Sequence, residues 1–135
     1  METFQKPTES ELEILKILWQ MGRATVKQVN EEINKTKEAG YTTTLKIMQI
    51  MFEKGLVARN AEGKQHIFEA KVGEEDTQKS LLNRFIDSTF QGNAMSLVMQ
   101  ALGNHHTSEE ELSQLKQLIA TLENQAPTKG DDLGN

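Results

Sequence analysis

Tyr41-Thr42-Thr43-Thr44-Leu45-Lys46-Ile47-Met48-Gln49-Ile50-Met51-Phe52-Glu53-Lys54-Gly55 reads as one short amphipathic helix, and the fold turns on it. At about 100° per residue, Leu45, Met48, Met51 and Phe52 fall on one side, while Thr42, Lys46, Gln49 and Glu53 recur at i, i+4, i+7 and i+11 on the other. The outer stripe begins with short hydroxyl side chains. Thr42 or Thr43 suits the N-cap, where a hydroxyl accepts from a first-turn amide, and Gly55 suits the left-handed residue past the last turn. A helix of this kind offers amides to a phosphate at its start, and Lys46 and Gln49 offer donors to base edges. An ordinary packed helix of a small domain has the same pattern, so its neighbours must decide.

Upstream, Thr8-Glu9-Ser10-Glu11 has the form of a capping box ahead of the run Leu12 to Trp19, a helix expected to end near Met21 with Gly22 beyond it. Its wide apolar stripe makes it the central helix of the first core, with Trp19 in that core. Thr25-Val26-Lys27-Gln28 repeats the start signal for a smaller helix lined by Val26, Val29 and Ile33 and ending near Lys35. Thr36 to Gly40 then turns the chain. Helix, short turn and helix in this order make a helix-turn-helix, whose second helix enters the major groove.

Downstream, Leu56-Val57-Ala58-Arg59 and Gln65-His66-Ile67-Phe68-Glu69-Ala70 flank the Gly-containing loop Asn60 to Lys64, the signature of a β-hairpin. A hairpin after a helix-turn-helix is the wing of a winged helix, with Lys64 at its tip; one that merely closes the core would use Val57 and Ile67 equally well. From Val72 the pattern is helical throughout. Glu74 to Phe90 carries Leu81, Leu82, Phe85, Ile86 and Phe90, and Gly92-Asn93 ends it. Ala94 to Leu102 carries Leu97, Val98 and Leu102, and Gly103-Asn104 ends that. Ser108-Glu109-Glu110-Glu111 opens a last helix with Leu112, Leu115, Leu118, Ile119 and Leu122 at coiled-coil-like spacing. Three short helices cannot bury these side chains among themselves, and a second copy of the chain is the natural cover. The expected fold class is mainly α with a small β-hairpin: a winged helix-turn-helix domain over residues 1–71, a three-helix dimerisation region over 72–124, and a disordered tail over 125–135.

Composition narrows the function. The 135 residues are 36% hydrophobic and 26% charged, lean in core material for a chain of this length. There is no cysteine, which excludes disulfides, thiolate metal sites and cysteine nucleophiles. No run is long and apolar enough to insert in a membrane, and the N-terminus lacks an apolar signal core, so the cytoplasm is the expected compartment. The net charge of -5 hides an asymmetry: eleven Lys or Arg against ten Asp or Glu in residues 1–71, net +1, and four against ten in 72–135, net -6. A near-neutral first half can present a basic face if its carboxylates lie elsewhere.

In order and spacing these segments resemble the BlaI/MecI penicillinase repressors, winged-helix bacterial transcription regulators with a helical dimerisation region. The resemblance covers about residues 8 to 124. It rests on Glu11 to Trp19, Tyr41-Thr42-Thr43, Lys54-Gly55-Leu56-Val57, Gly63-Lys64, and Ser96-Leu97-Val98 followed by Ser108-Glu109-Glu110-Glu111-Leu112. It implies a cytoplasmic repressor that binds a dyad operator of double-stranded DNA as a homodimer. In antibiotic-responsive members, a membrane-bound metalloprotease sensor triggers cleavage within the dimerisation region. This chain departs from the family at Lys46 and Ile50, where threonine and arginine are usual, at Phe68 in place of a wing tyrosine, and at Gln100-Ala101, where the cut asparagine-phenylalanine pair would stand.

The candidate DNA contacts are therefore Tyr41, Thr42, Thr43, Lys46 and Gln49 on the reading helix, with Lys64 and His66 on the hairpin. His66 either touches a phosphate or is solvated. The candidate pairing residues are Leu82, Phe85, Ile86, Phe90, Leu97, Val98, Leu102, Leu115, Leu118, Ile119 and Leu122. His105-His106 with Glu109 and Glu110 is the one cluster that suggests zinc, but adjacent side chains point apart and a site needs three or four converging ligands. No metal and no cofactor is expected. With no phosphate loop, nucleophile elbow or paired carboxylates, neither is enzymatic activity. A winged-helix module that binds protein rather than DNA is the alternative, favoured by the acidic total and by Ile50.

Overall fold

Side chains that satisfy first-turn amides decide where several of the helices start. Thr8 Oγ1 accepts from the Glu11 amide at 3.1 Å while Glu11 Oε1 accepts from the Thr8 amide at 2.9 Å. Thr25 with Gln28 and Ser108 with Glu111 form the same reciprocal pairs. The computed structural model describes residues 6–125. In chain order the elements are α1 (Glu9–Met21), α2 (Val26–Ile33), α3 (Tyr41–Lys54), β1 (Val57–Glu62), β2 (Gln65–Ala70), α4 (Glu74–Phe90), α5 (Ala94–Asn104) and α6 (Glu109–Gln125). This is the expected class, mostly helical with one antiparallel hairpin. Of the tail expected to be disordered, Gln125 closes α6, and 126–135 lie outside the described residues.

The chain divides into two compact units, one ending at Ser88 and one beginning at Thr89. In the first, Ile14, Leu15, Leu18, Val29, Met48, Met51, Val57 and Phe68 are almost fully buried, so α1 is indeed the central helix. Trp19 lies only at the margin of this core. Its indole N–H donates to the Val72 carbonyl at 2.9 Å, tying α1 to the approach of α4, where Thr77 is buried. Glu11 is buried too, and both its oxygens accept from Lys54 Nζ at 2.9 Å, so the start of α1 is fastened to the end of α3.

Two expectations about α3 and the hairpin are corrected. Phe52 is not an inner residue: the buried stripe is Thr44, Met48 and Met51, and Phe52, one step past it, is 38% exposed. Leu56 and Phe68 fill the core at that end instead. The hairpin loop is also shorter than expected, because Asn60, Ala61 and Glu62 continue β1 and only Gly63 and Lys64 turn the chain. Gly63 carries φ 62 at the first turn position, as a type II′ hairpin requires. A bridge that the sequence did not reveal joins Ala24 to Phe68, with paired hydrogen bonds of 3.0 and 2.8 Å, and docks the wing beside the start of α2.

In the second unit, α5 runs through Gly103 to Asn104, past its expected end at Leu102. Neither α5 nor α6 buries a single side chain.

Candidate nucleic-acid interface

The turn before α3 is built from two asparagines. Asn30 Nδ2 donates to the Ala39 carbonyl at 3.1 Å and to Thr44 Oγ1 at 2.9 Å, and Asn34 closes on Ala39 from both sides, donating to its carbonyl at 2.9 Å and accepting from its amide at 3.1 Å. Buried Thr44 is therefore satisfied from α2, which fixes how α3 leaves the turn. With Ala39 held this way, the helix starts at once. Gly40 is its N-cap in extended conformation and gives no side-chain bond, so neither Thr42 nor Thr43 caps α3; both stand exposed within its first turn. At the far end Gly55, at φ 83, lets the Leu56 amide reach the Met51 carbonyl at 2.9 Å and drops Leu56 into the core.

Between α3, the start of α2 and the wing lies a cleft of about 250 Å³, lined by Thr25, Val26, Lys27, Tyr41, Leu45, Gln49, Arg59, Lys64, Gln65, His66 and Phe68. Four of the sequence candidates meet there: Tyr41, Gln49, Lys64 and His66. Thr42, Thr43 and Lys46 are exposed on α3 outside the lining, with Lys46 one turn before Gln49. His66 stands edge-on to Phe68, ring centroids 6.5 Å apart.

The charge of the cleft is one-sided. Its lining holds Lys27, Arg59, Lys64 and His66 and no carboxylate. Three cations of this unit outside the lining are matched, Lys54 to Glu11, Lys37 to Glu13 and Lys35 to Glu32, each at 2.9 Å, whereas Lys16, Lys46 and Lys71 form no ion pair among the described residues. Glu62, the carboxylate beside the wing tip, is drawn to Arg23 at 2.8 Å, and Glu69 lies 3.7 Å from the same guanidinium. Lys27, Arg59 and Lys64 have no ion-pair partner among the described residues. Sequence reasoning missed Lys27 and Arg59. Lys27 sits in the first turn of α2, taken as a packing helix. Arg59 was hidden by the misplaced Phe52, over whose ring its Cζ lies 4.1 Å from the centroid.

The candidate pairing residues fall in both units. Leu82 and Phe85 are about half exposed on α4, with Ile86 and Phe90 more sheltered. On α5, Met95, Val98, Met99 and Leu102 form one exposed stripe at i, i+3, i+4 and i+7, and Leu97 is half-buried beside it; the two methionines were not anticipated. On α6, Leu112, Leu118, Ile119 and Leu122 are exposed around the half-buried Leu115. His105 caps the end of α5 and His106 follows in the connection; among the described residues no three His, Asp or Glu side chains converge as a metal site would need.

A family model described as penicillinase repressor matches residues 7–121. The penicillinase repressor of Bacillus licheniformis is 24% identical over 119 residues, covering 88% of this chain and 93% of that one. The methicillin resistance regulatory protein MecI of Staphylococcus aureus (strain N315) is 23% identical over 112 residues, covering 83% and 91%. The solution structure of the DNA binding domain of the repressor BlaI superposes with a TM-score of 0.50 at 22% identity, covering 56% of this chain and 93% of that one, a likeness of fold. With the family model spanning the winged helix and nearly all of the helices after it, the chain belongs to the penicillinase repressor family.

Proposed function

We propose that this protein is a sequence-specific transcriptional repressor that grips double-stranded DNA between α3 and the wing and does so as a homodimer on a dyad operator. The observation that carries this is the cleft whose Lys27, Arg59 and Lys64 are all without an ion pair among the described residues and whose lining holds no carboxylate, the wing's Glu62 and Glu69 being drawn to Arg23. Unpaired Lys and Arg on one face are what a phosphate backbone recruits. Support also comes from the family and from its relatives, one named as a penicillinase repressor, one as a regulatory protein and one as the DNA binding domain of a repressor. The reading side chains are Tyr41, Thr42, Thr43, Lys46 and Gln49, with Lys64 and His66 on the wing. Residues 72–124 pair two copies through the apolar stripes of α4, α5 and α6. The protein acts in the cytoplasm without enzymatic activity; among the described residues no helix is long and apolar enough to cross a membrane.

Electrophoretic shift on DNA from the promoter region of the protein's own gene, against an unrelated duplex, tests this. A salt-dependent preference for the former is expected. Ile50, 38% exposed on the reading helix, favours the second reading, a module whose α3 contacts protein. Absence of any shift at low salt selects it.

Relief of repression follows from the same arrangement. Gln100 and Ala101 lie inside α5, where a protease needs local unfolding before it can take the backbone, and no large aromatic marks the bond. Co-expressed with a membrane-bound metalloprotease sensor of the family and inducer, the protein is expected to stay uncut there, its own sensor or another signal being required. Mass spectrometry of the fragments checks this, and a clean cut between Gln100 and Ala101 restores the family mechanism.

A further inference from the structure

Resting on the DNA-binding reading above, we propose that Arg59 on β1, its guanidinium held over the exposed ring of Phe52, is a DNA phosphate contact that works opposite Lys27, so that the cleft seats one backbone phosphate between α2 and the wing. Three observations converge. First, Phe52 is a large apolar side chain outside the core, and the guanidinium carbon lies 4.1 Å from its ring centroid. That is within cation–π range, and a ring face takes up none of the guanidinium N–H donors as a carboxylate would. Second, Arg59 is only part-exposed yet has no carboxylate partner among the described residues, an arrangement that costs desolvation without returning a Coulombic gain until an anion arrives. Third, the same cleft brings Lys27 from a different element, likewise unpaired, and Thr25 at the start of α2.

The geometry separates this role from that of Lys64 on the wing tip. A tip lysine is a mobile point charge, whereas Arg59 is held in a β-strand and against a ring, which sets its donors before DNA arrives. Phe52 is then a positioning residue: it does not meet the DNA itself but holds in place the guanidinium that does. The contact reads backbone, so its contribution is the same for all sequences.

The test measures duplex binding across a salt series for the full-length wild type, Arg59→Ala, Arg59→Lys, Lys27→Ala and Phe52→Leu, with a promoter fragment of the protein's own gene and an unrelated duplex as probes. Arg59→Ala is expected to weaken both probes about tenfold, the loss typical of one charge-assisted hydrogen bond. Its slope of log affinity against log salt is expected to flatten by about 0.9, the value of one phosphate contact. Lys27→Ala should behave alike. Arg59→Lys and Phe52→Leu should keep the wild-type slope while losing affinity, because the charge stays and its placement goes; a merely structural role for the ring predicts no such split. Thermal melts accompany each variant, and if Arg59→Ala is unfolded, Arg59→Lys and Lys27→Ala carry the decision. Wild-type affinity and slope in both alanine variants overturn the phosphate seat while leaving the repressor reading intact. A wild type that binds neither probe overturns both.

Discussion

Glu11 shows how much one side chain holds together in this molecule. Its carboxylate closes the capping box with Thr8 and takes both hydrogen bonds of Lys54 across 43 positions of sequence, all while buried. Removing it by Glu11→Ala loses the reciprocal half of the capping box and strands the ammonium, which is expected to cost about 1–3 kcal/mol, measurable by chemical denaturation. Glu11→Gln keeps an acceptor for the Thr8 amide and should cost less. On the outer stripe of α3 the expectation is reversed. Lys46→Ala and Gln49→Ala should weaken operator binding by about 1–3 kcal/mol each if they meet base edges, with melting temperature almost unchanged because both side chains are exposed. Lost stability with intact affinity in a binding assay would mean that the helix presents another face. Lys64→Ala is expected to weaken all sequences alike and flatten the salt dependence, as a phosphate contact does.

The turn between α2 and α3 depends on Asn30, which serves the Ala39 carbonyl and the buried Thr44 hydroxyl at once. Asn30→Ala strips the buried Thr44 hydroxyl of its partner and leaves the Ala39 carbonyl with Asn34 as donor, and is expected to lower stability by about 1–3 kcal/mol in a denaturant titration. Asn30→Asp should rescue it only in part, since a carboxylate can accept from the Thr44 hydroxyl but cannot donate to the Ala39 carbonyl. Local chemistry of this type explains which parts were legible in the sequence. The capping boxes at Thr8, Thr25 and Ser108 are contiguous signals and give the element starts directly. Asn30 to Thr44 spans 14 positions and depends on how the turn closes, so the cap of α3 was assigned to its threonines instead of Gly40. Periodicity located α3, but a wheel cannot tell that the Leu56 and Phe68 of later elements take the core space and leave Phe52 outside it. The cleft is assembled from α2, α3 and both strands, so Lys27 and Arg59 joined it only through the fold, and the Ala24–Phe68 bridge has no local pattern at all.

Taken as a whole, the chain puts its buried core in the unit ending at Ser88, whereas α5 and α6 bury nothing of their own. Helices this short and exposed are marginal alone, so their order is expected to come from the second copy, and sedimentation at tens of micromolar should find a dimer, a range that suits modest association energies. A fragment ending at Ser88 is expected to be folded and monomeric and to bind a full dyad far more weakly, because two linked half-sites gain from effective concentration. Trp19 is the chain's single tryptophan, and its indole is hydrogen-bonded to Val72 inside the first unit. Its emission is therefore a built-in optical probe of one unit only. On heating, far-ultraviolet circular dichroism, which counts every helix, should show an early transition that moves upward with protein concentration, and tryptophan fluorescence a later one that stays put.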